Sequence, residues 1–121
     1  MLLDTTFFID LSREVRAGQP GPAAAFLRLH HRADYAVSVV TLGEFAIGMD
    51  APATRRFFWG FRPVALGREL AIFAGRLQSR LNFTLGENDL WIAATALYHQ
   101  WPLATRDLAF AKIPSLKVMA Y

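Results

Sequence analysis

An α/β fold is predicted by three features of this 121-residue chain. Short apolar segments carrying β-branched residues recur along it. Amphipathic helical stretches separate them, at the spacing of a parallel sheet covered on both faces. The length suits one core and not two. The expectation is therefore a single-domain α/β/α sandwich over residues 1–121, with a central parallel sheet of about five strands.

Met1 to Leu3 reads as a short buried strand ending at Asp4. Phe7, Phe8 and Leu11 then mark a helix that stops near Gly18, where Gly18-Gln19-Pro20-Gly21-Pro22 forms a turn inside the domain. A second helix follows Pro22, with Phe26, Leu27 and Leu29 expected on its inner face. Ala36 to Val39 is the second strand. Thr41 is expected to cap the next helix, with Glu44 three residues later closing a capping box in its first turn, and Phe45 and Ile47 carry that helix to Gly48. Pro52 opens a short helix through Phe57 and Phe58, and Phe61 to Ala65 is the third strand. Arg68 to Asn82 is the clearest amphipathic helix, its inner face drawn by Leu70, Phe73, Ala74, Leu77 and Leu81. A further helix starts at Glu87 or Asn88, with Leu90, Ala93, Ala94 and Leu97 inward. Leu103–Ala104 and Leu116–Met119 complete the sheet.

Composition narrows the chemistry. Hydrophobic residues make up 54% of the chain, including 10 Phe, so a packed core and not disorder is expected. The absence of cysteine excludes a disulfide framework, thiolate metal sites and a cysteine nucleophile. No apolar run is long enough to span a bilayer, and the first residues lack the basic and apolar regions of a signal peptide, so a cytoplasmic protein without membrane association is expected. The formal charge of +3 rests on eleven arginines and two lysines, and the guanidinium group suits phosphate recognition.

In an open parallel sheet, ligands bind beyond the carboxyl ends of the strands. Four acids meet that criterion. Asp4 follows the first strand, Glu44 lies on the helix after the second, Asp107 lies just past the fourth, and Asp89 begins the helix that returns to the fourth. Carboxylates drawn to one edge repel one another, and such a cluster normally implies a divalent cation. All-oxygen ligation favours Mg²⁺ or Mn²⁺ over zinc. The bland alternative is that Asp89 and Glu44 only complement helix starts. Asp10, Glu14, Asp34, Asp50 and Glu69 read as surface or capping groups.

The motifs also carry a family resemblance. The opening Leu-Leu-Asp-Thr-Thr-Phe-Phe-Ile-Asp, the central Ser-Val-Val-Thr-Leu-Gly-Glu-Phe-Ala-Ile-Gly, the segment Gly-Glu-Asn-Asp-Leu-Trp-Ile-Ala-Ala-Thr-Ala from Gly86 and the run Leu-Ala-Thr-Arg-Asp ending at Asp107 occur in this order. Together they resemble a PIN-domain ribonuclease of the VapC toxin type. The resemblance implies that Asp4, Glu44, Asp89 and Asp107 are the metal-site acids, with Thr6 supporting the first. Asp107 occupies a slot that is often Asn in the family, and the segment after it is one residue shorter here.

What the resemblance further implies is Mg²⁺- or Mn²⁺-dependent cleavage of RNA by an activated water, leaving 5′-phosphate and 3′-hydroxyl ends, with no side-chain nucleophile. Arg106 and Lys112 are candidates for holding RNA phosphate. A homodimer and a VapB-like antitoxin are the expected partners, and Phe57, Phe58, Trp59 and Phe61 are candidates for the antitoxin groove. His30, His31 and His99 are placed away from the acidic edge. Two other readings compete: a non-catalytic PIN-like binding module, and a receiver domain. The receiver is disfavoured because Asp4 is followed by two threonines where that fold needs a second acid.

Overall fold

The computed structural model describes residues 1–121. Five strands form one all-parallel sheet: β1 (Leu2–Leu3), β2 (Ala36–Ser38), β3 (Arg62–Val64), β4 (Leu103–Ala104) and β5 (Val118–Met119). Their spatial order is β3-β2-β1-β4-β5. The chain thus builds outward from β1 in one direction and then returns to add β4 and β5 on the other side. The order reverses at β1, between β2 and β4, and a crevice opens at such a reversal.

Six α-helices cover the sheet: α1 (Thr5–Ala17), α2 (Pro22–Leu29), α3 (Val39–Gly48), α4 (Ala51–Phe57), α5 (Arg68–Arg80) and α6 (Glu87–His99). Alternation along each strand sorts the core into two layers. Leu2, Ala36 and Leu103 face α6 with Ile92, Ala93 and Ala96. Leu3, Val37 and Ala104 face the other way, onto Phe7, Phe8, Leu11 and Phe26 of α1 and α2. This is the expected α/β/α sandwich.

Local chemistry fixes the element ends. Gly18 closes α1 with φ 65°, the left-handed conformation that glycine adopts without steric cost. Helix α2 starts at Pro22 after Gly21, which has no capping side chain. Glu14 of α1 supplies the cap instead, its two carboxylate oxygens each accepting at 2.9 Å from the backbone N–H of Ala23 and Ala24. Helix α6 is closely enclosed: Ile92 through Ala96 are buried without a break, and its alanines allow that approach.

Three sequence expectations need correction. Ser38, not Thr41, caps α3; its hydroxyl accepts from Val40 N–H at 3.2 Å, so the helix begins three residues early and Glu44 lies beyond its first turn. Leu29 is 76% exposed, because α2 ends there and buries Ala23 and Phe26 instead. Phe58 is a core residue and half-buried Phe61 packs against the same core, for both rings lie on Phe8, at 4.9 and 5.0 Å between centroids.

Candidate metal centre

Asp4 lies at the carboxyl end of the central strand β1 and is 3% exposed. Its backbone N–H donates to Ala104 O at 3.1 Å, which ties it to β4, and its side chain caps α1. Three donors hold the carboxylate. Thr5 N–H donates to Oδ1 at 2.7 Å, and the Thr6 and Thr105 hydroxyls donate to Oδ2 at 2.8 Å each. A buried ionised carboxylate requires such donors and gains from the positive end of α1.

The other acids arrive from the neighbours of β1. Helix α3, leaving β2, carries Glu44, whose Oε1 accepts from Asn88 Nδ2 at 3.0 Å. Helix α6, entering β4, carries half-buried Asp89 in its first turn. The turn after β4 carries Asp107, whose Oδ1 accepts from Ala109 N–H at 2.9 Å and starts a 3-10 turn over Leu108–Lys112. Electrostatics record their proximity. Burial pushes Glu44 up from the usual carboxylate range, and the Asp4 charge adds to it. Burial pushes Asp89 up as well, with further repulsion from Asp4 and Asp107. All four acids therefore belong to one electrostatic neighbourhood.

As they stand, no three His, Asp or Glu side chains form a closed ligand set. Glu44 is engaged by Asn88 and Asp107 by its own turn, so assembling the set requires local rearrangement of these two. The donor chemistry fits a hard divalent cation: carboxylate oxygens only, on a buried and braced Asp4, with two further acids whose charged forms are disfavoured.

A small polar scaffold surrounds these acids. The Thr5 and Thr41 hydroxyls bond to each other at 2.8 Å, joining the first turns of α1 and α3. Thr105 Oγ1 accepts from Asp107 N–H at 3.0 Å while donating to Asp4, so a single buried hydroxyl links two of the acids. Thr5, Thr41, Thr105 and Asn88 were not singled out in the sequence as parts of the site, although all but Thr41 lie within two residues of a predicted acid.

The basic candidates divide. Arg106 Nε pairs with Asp10 Oδ2 at 3.1 Å, while the side chain is 54% exposed, so the guanidinium is anchored to the fold at one edge. Lys112 is exposed at the end of the 3-10 turn. His30 and His99 lie at the C-terminal ends of α2 and α6, the opposite edge from the N-terminal turn that carries Asp89.

Among the aromatic candidates, Trp59 is 88% exposed and separate from the core, and Phe57 lines a groove. That groove, about 540 Å³, runs between α1, α3 and α4 over Ile9, Val15, Phe45 and Phe57. Thr5 and Glu44 of the acidic neighbourhood and the cations Arg16 and Arg56 also line it. Phe45 and Phe57 stack there, 5.6 Å apart and 12° from parallel.

Comparison with known proteins agrees with this architecture. The family model described as PIN domain matches residues 1–116. Ribonuclease VapC4 of Mycobacterium tuberculosis is 30% identical, the match covering 98% of this chain and 94% of that protein. A toxin–antitoxin complex from Klebsiella pneumoniae contains a chain that is 27% identical, with TM-score 0.73 and coverage of 98% and 94%. VapBC2 of Rickettsia felis, solved with a fragment of promoter DNA, shares the fold at TM-score 0.80 and 21% identity, with coverage of 98% and 96%.

Proposed function

The chain belongs to the PIN-domain family, and from that premise we propose that it is a ribonuclease of the VapC type, the toxin of a toxin–antitoxin pair, built as one PIN domain over residues 1–121. It hydrolyses RNA phosphodiester bonds in the presence of Mg²⁺ or Mn²⁺ and leaves 5′-phosphate and 3′-hydroxyl ends. The observation that carries this reading is the buried, threonine-braced Asp4 with Glu44, Asp89 and Asp107 in its electrostatic neighbourhood.

Asp4, Glu44 and Asp89 are the residues that would hold the ion, with Asp107 completing the set. When bound, the ion supplies Lewis acidity toward phosphate and a bound water of lowered pKa. The protein's part is positional. Thr5, Thr6 and Thr105 orient the Asp4 carboxylate through three hydrogen bonds, and Asn88 holds Glu44 beside the N-terminal turn of α6. In the metal-free protein, burial and the Asp4 charge push Glu44 and Asp89 up from the usual carboxylate range, so a bound cation relieves a repulsion that the fold itself creates. Lys112 is free to meet RNA phosphate.

A VapB-like antitoxin is the protein partner, and the groove between α1, α3 and α4 takes the place of the aromatic cluster as its seat. An apolar segment fits the floor of Ile9, Phe45 and Phe57, and acidic residues beside it meet Arg16 and Arg56. Because Thr5 and Glu44 line the same groove, an occupant would also cover the acidic edge. The proposed assembly contains two copies of the toxin and acts in the cytoplasm. No helix is long and apolar enough to cross a membrane.

The test is RNA cleavage by antitoxin-free protein with Mg²⁺ or Mn²⁺ and again with EDTA. Metal-dependent cleavage with 5′-phosphate products is expected. Cleavage undiminished by EDTA contradicts the metal assignment, and no cleavage in any condition favours a non-catalytic binding module.

A further inference from the structure

Asp10 was read from the sequence as a surface acid, yet it is the meeting point of three elements. It projects from α1, two turns beyond Asp4, and its side chain is only 18% exposed. Its Oδ2 accepts from the Tyr121 hydroxyl at 2.7 Å and from Arg106 Nε at 3.1 Å. Arg106 lies between Thr105, which donates to Asp4, and Asp107. Tyr121 follows β5, and its ring packs edge-on against Phe7 at 4.7 Å between centroids. One carboxylate oxygen therefore joins the helix that carries Asp4 to the turn that carries Thr105 and Asp107.

We propose that Asp10 is a positioning residue for the candidate metal centre, acting through Arg106 to hold the Thr105–Asp107 turn in register with Asp4. Two alternatives for this cluster are less economical. An isolated surface ion pair would need no second donor, but Asp10 has one in Tyr121, mostly out of solvent. Burial, and then the neighbouring Asp10 carboxylate, push the Tyr121 phenol up, so it remains a donor at any working pH. A phosphate contact by Arg106 would use only its outer Nη groups, whereas Nε is directed at Asp10, and the two roles are separated by the measurements below. The turn is tied to β5 by Thr105 N–H to Met119 O at 3.1 Å, to itself by Asp107 N–H to Thr105 Oγ1, and to Asp4 by the Thr105 hydroxyl. Arg106 adds a second side-chain link, from that turn to the body of α1.

The inference rests on the proposed metal-dependent reading, and its test separates the two. Mn²⁺ affinity is measured by calorimetry on metal-free protein for wild type, Asp10→Ala, Arg106→Ala and the double variant. RNA KM and kcat are then measured at saturating Mn²⁺. Each single variant is expected to bind Mn²⁺ about tenfold more weakly, the scale of lost support behind a metal ligand. The double variant should be no weaker than either single one, because both remove the same link. RNA KM should be unchanged. Arg106 is half-exposed, so its truncation buries no new polar group and should leave the melting temperature near that of wild type, and the test stands even if Asp10→Ala folds poorly. Wild-type Mn²⁺ affinity in all three variants overturns the proposal alone. A raised RNA KM in Arg106→Ala with Mn²⁺ affinity intact also overturns it, and makes Arg106 a phosphate contact. Failure of wild type to bind Mn²⁺ overturns the metal-dependent reading and this inference with it.

Discussion

At the scale of single residues, the four acids are not equivalent. Asp4 is buried and satisfied by three donors, so Asp4→Asn removes a charge that the surroundings are built to stabilise and places an amide N–H₂ among donors. Asp107 is different: it caps the turn through Ala109, and asparagine can accept that bond equally well. Asp4→Asn, Glu44→Gln and Asp89→Asn should each abolish RNA cleavage, whereas Asp107→Asn should only weaken it; equal loss at Asp107 and Asp4 in a single-turnover assay contradicts this ranking. Thr105→Val probes the hydroxyl that links Asp4 to Asp107 without changing side-chain volume. It leaves the Asp107 N–H unpaired and should cost about 1–3 kcal/mol in denaturant unfolding, the penalty for orphaning a buried polar group. The acids were legible in the sequence because each sits where a strand or a returning helix meets the ligand-binding edge. Thr105, Asp10 and Tyr121 were not, since their roles depend on partners 101, 96 and 111 residues away, respectively, for Asp4, Arg106 and Asp10.

At the scale of elements, apolar patterning located the five strands and six α-helices but not the 3-10 turn at Leu108–Lys112, which Asp107 caps, and the other errors lie at element ends. Thr41 and Glu44 have the spacing of a capping box, but Ser38 leaves the strand in an extended conformation and reaches the helix first. Thr41 is then drawn into the buried bond with Thr5. The cap of α2 was equally hidden, because its donor is Glu14 on another helix. Glu14→Ala should lower stability by about 1 kcal/mol, as loss of a helix cap does, with RNA cleavage retained at temperatures below the melt. The aromatic run after Pro52 misled for a related reason: composition cannot separate rings turned to the sheet, such as Phe58, from rings that line a groove, such as Phe57. Val15 is 64% exposed on the groove wall, so Val15→Asp should weaken antitoxin binding at least tenfold with little change in the melting temperature. Trp59→Ser, away from the groove, should leave binding unchanged. Titration calorimetry of the two variants with antitoxin checks both outcomes.

At the scale of the whole molecule, the parallel sheet concentrates negative charge at one edge, and that has a cost to the fold. Burial and neighbouring carboxylates push Glu44 and Asp89 up. A carboxyl whose folded pKa exceeds its unfolded value binds more protons when folded between those two values, so stability falls as pH rises through that window. Metal-free protein should therefore be less stable above that window than below it, and regain the difference on acidification. Asp89→Asn has no such charge and should melt at the same or a higher temperature than wild type in EDTA at pH 7, the difference closing as pH falls. A helix cap behaves otherwise, since losing a charge that complements the dipole lowers stability by about 0.3–1 kcal/mol with or without metal. Metal binding only the folded site adds about 2.7 kcal/mol at one hundred times its dissociation constant. The decisive measurement is the rise in melting temperature produced by Mg²⁺ in wild type and in Asp89→Asn. A metal centre predicts a clear rise in wild type and a much smaller one in the variant; equal responses in the two proteins contradict Asp89 as a ligand and the metal centre built around it.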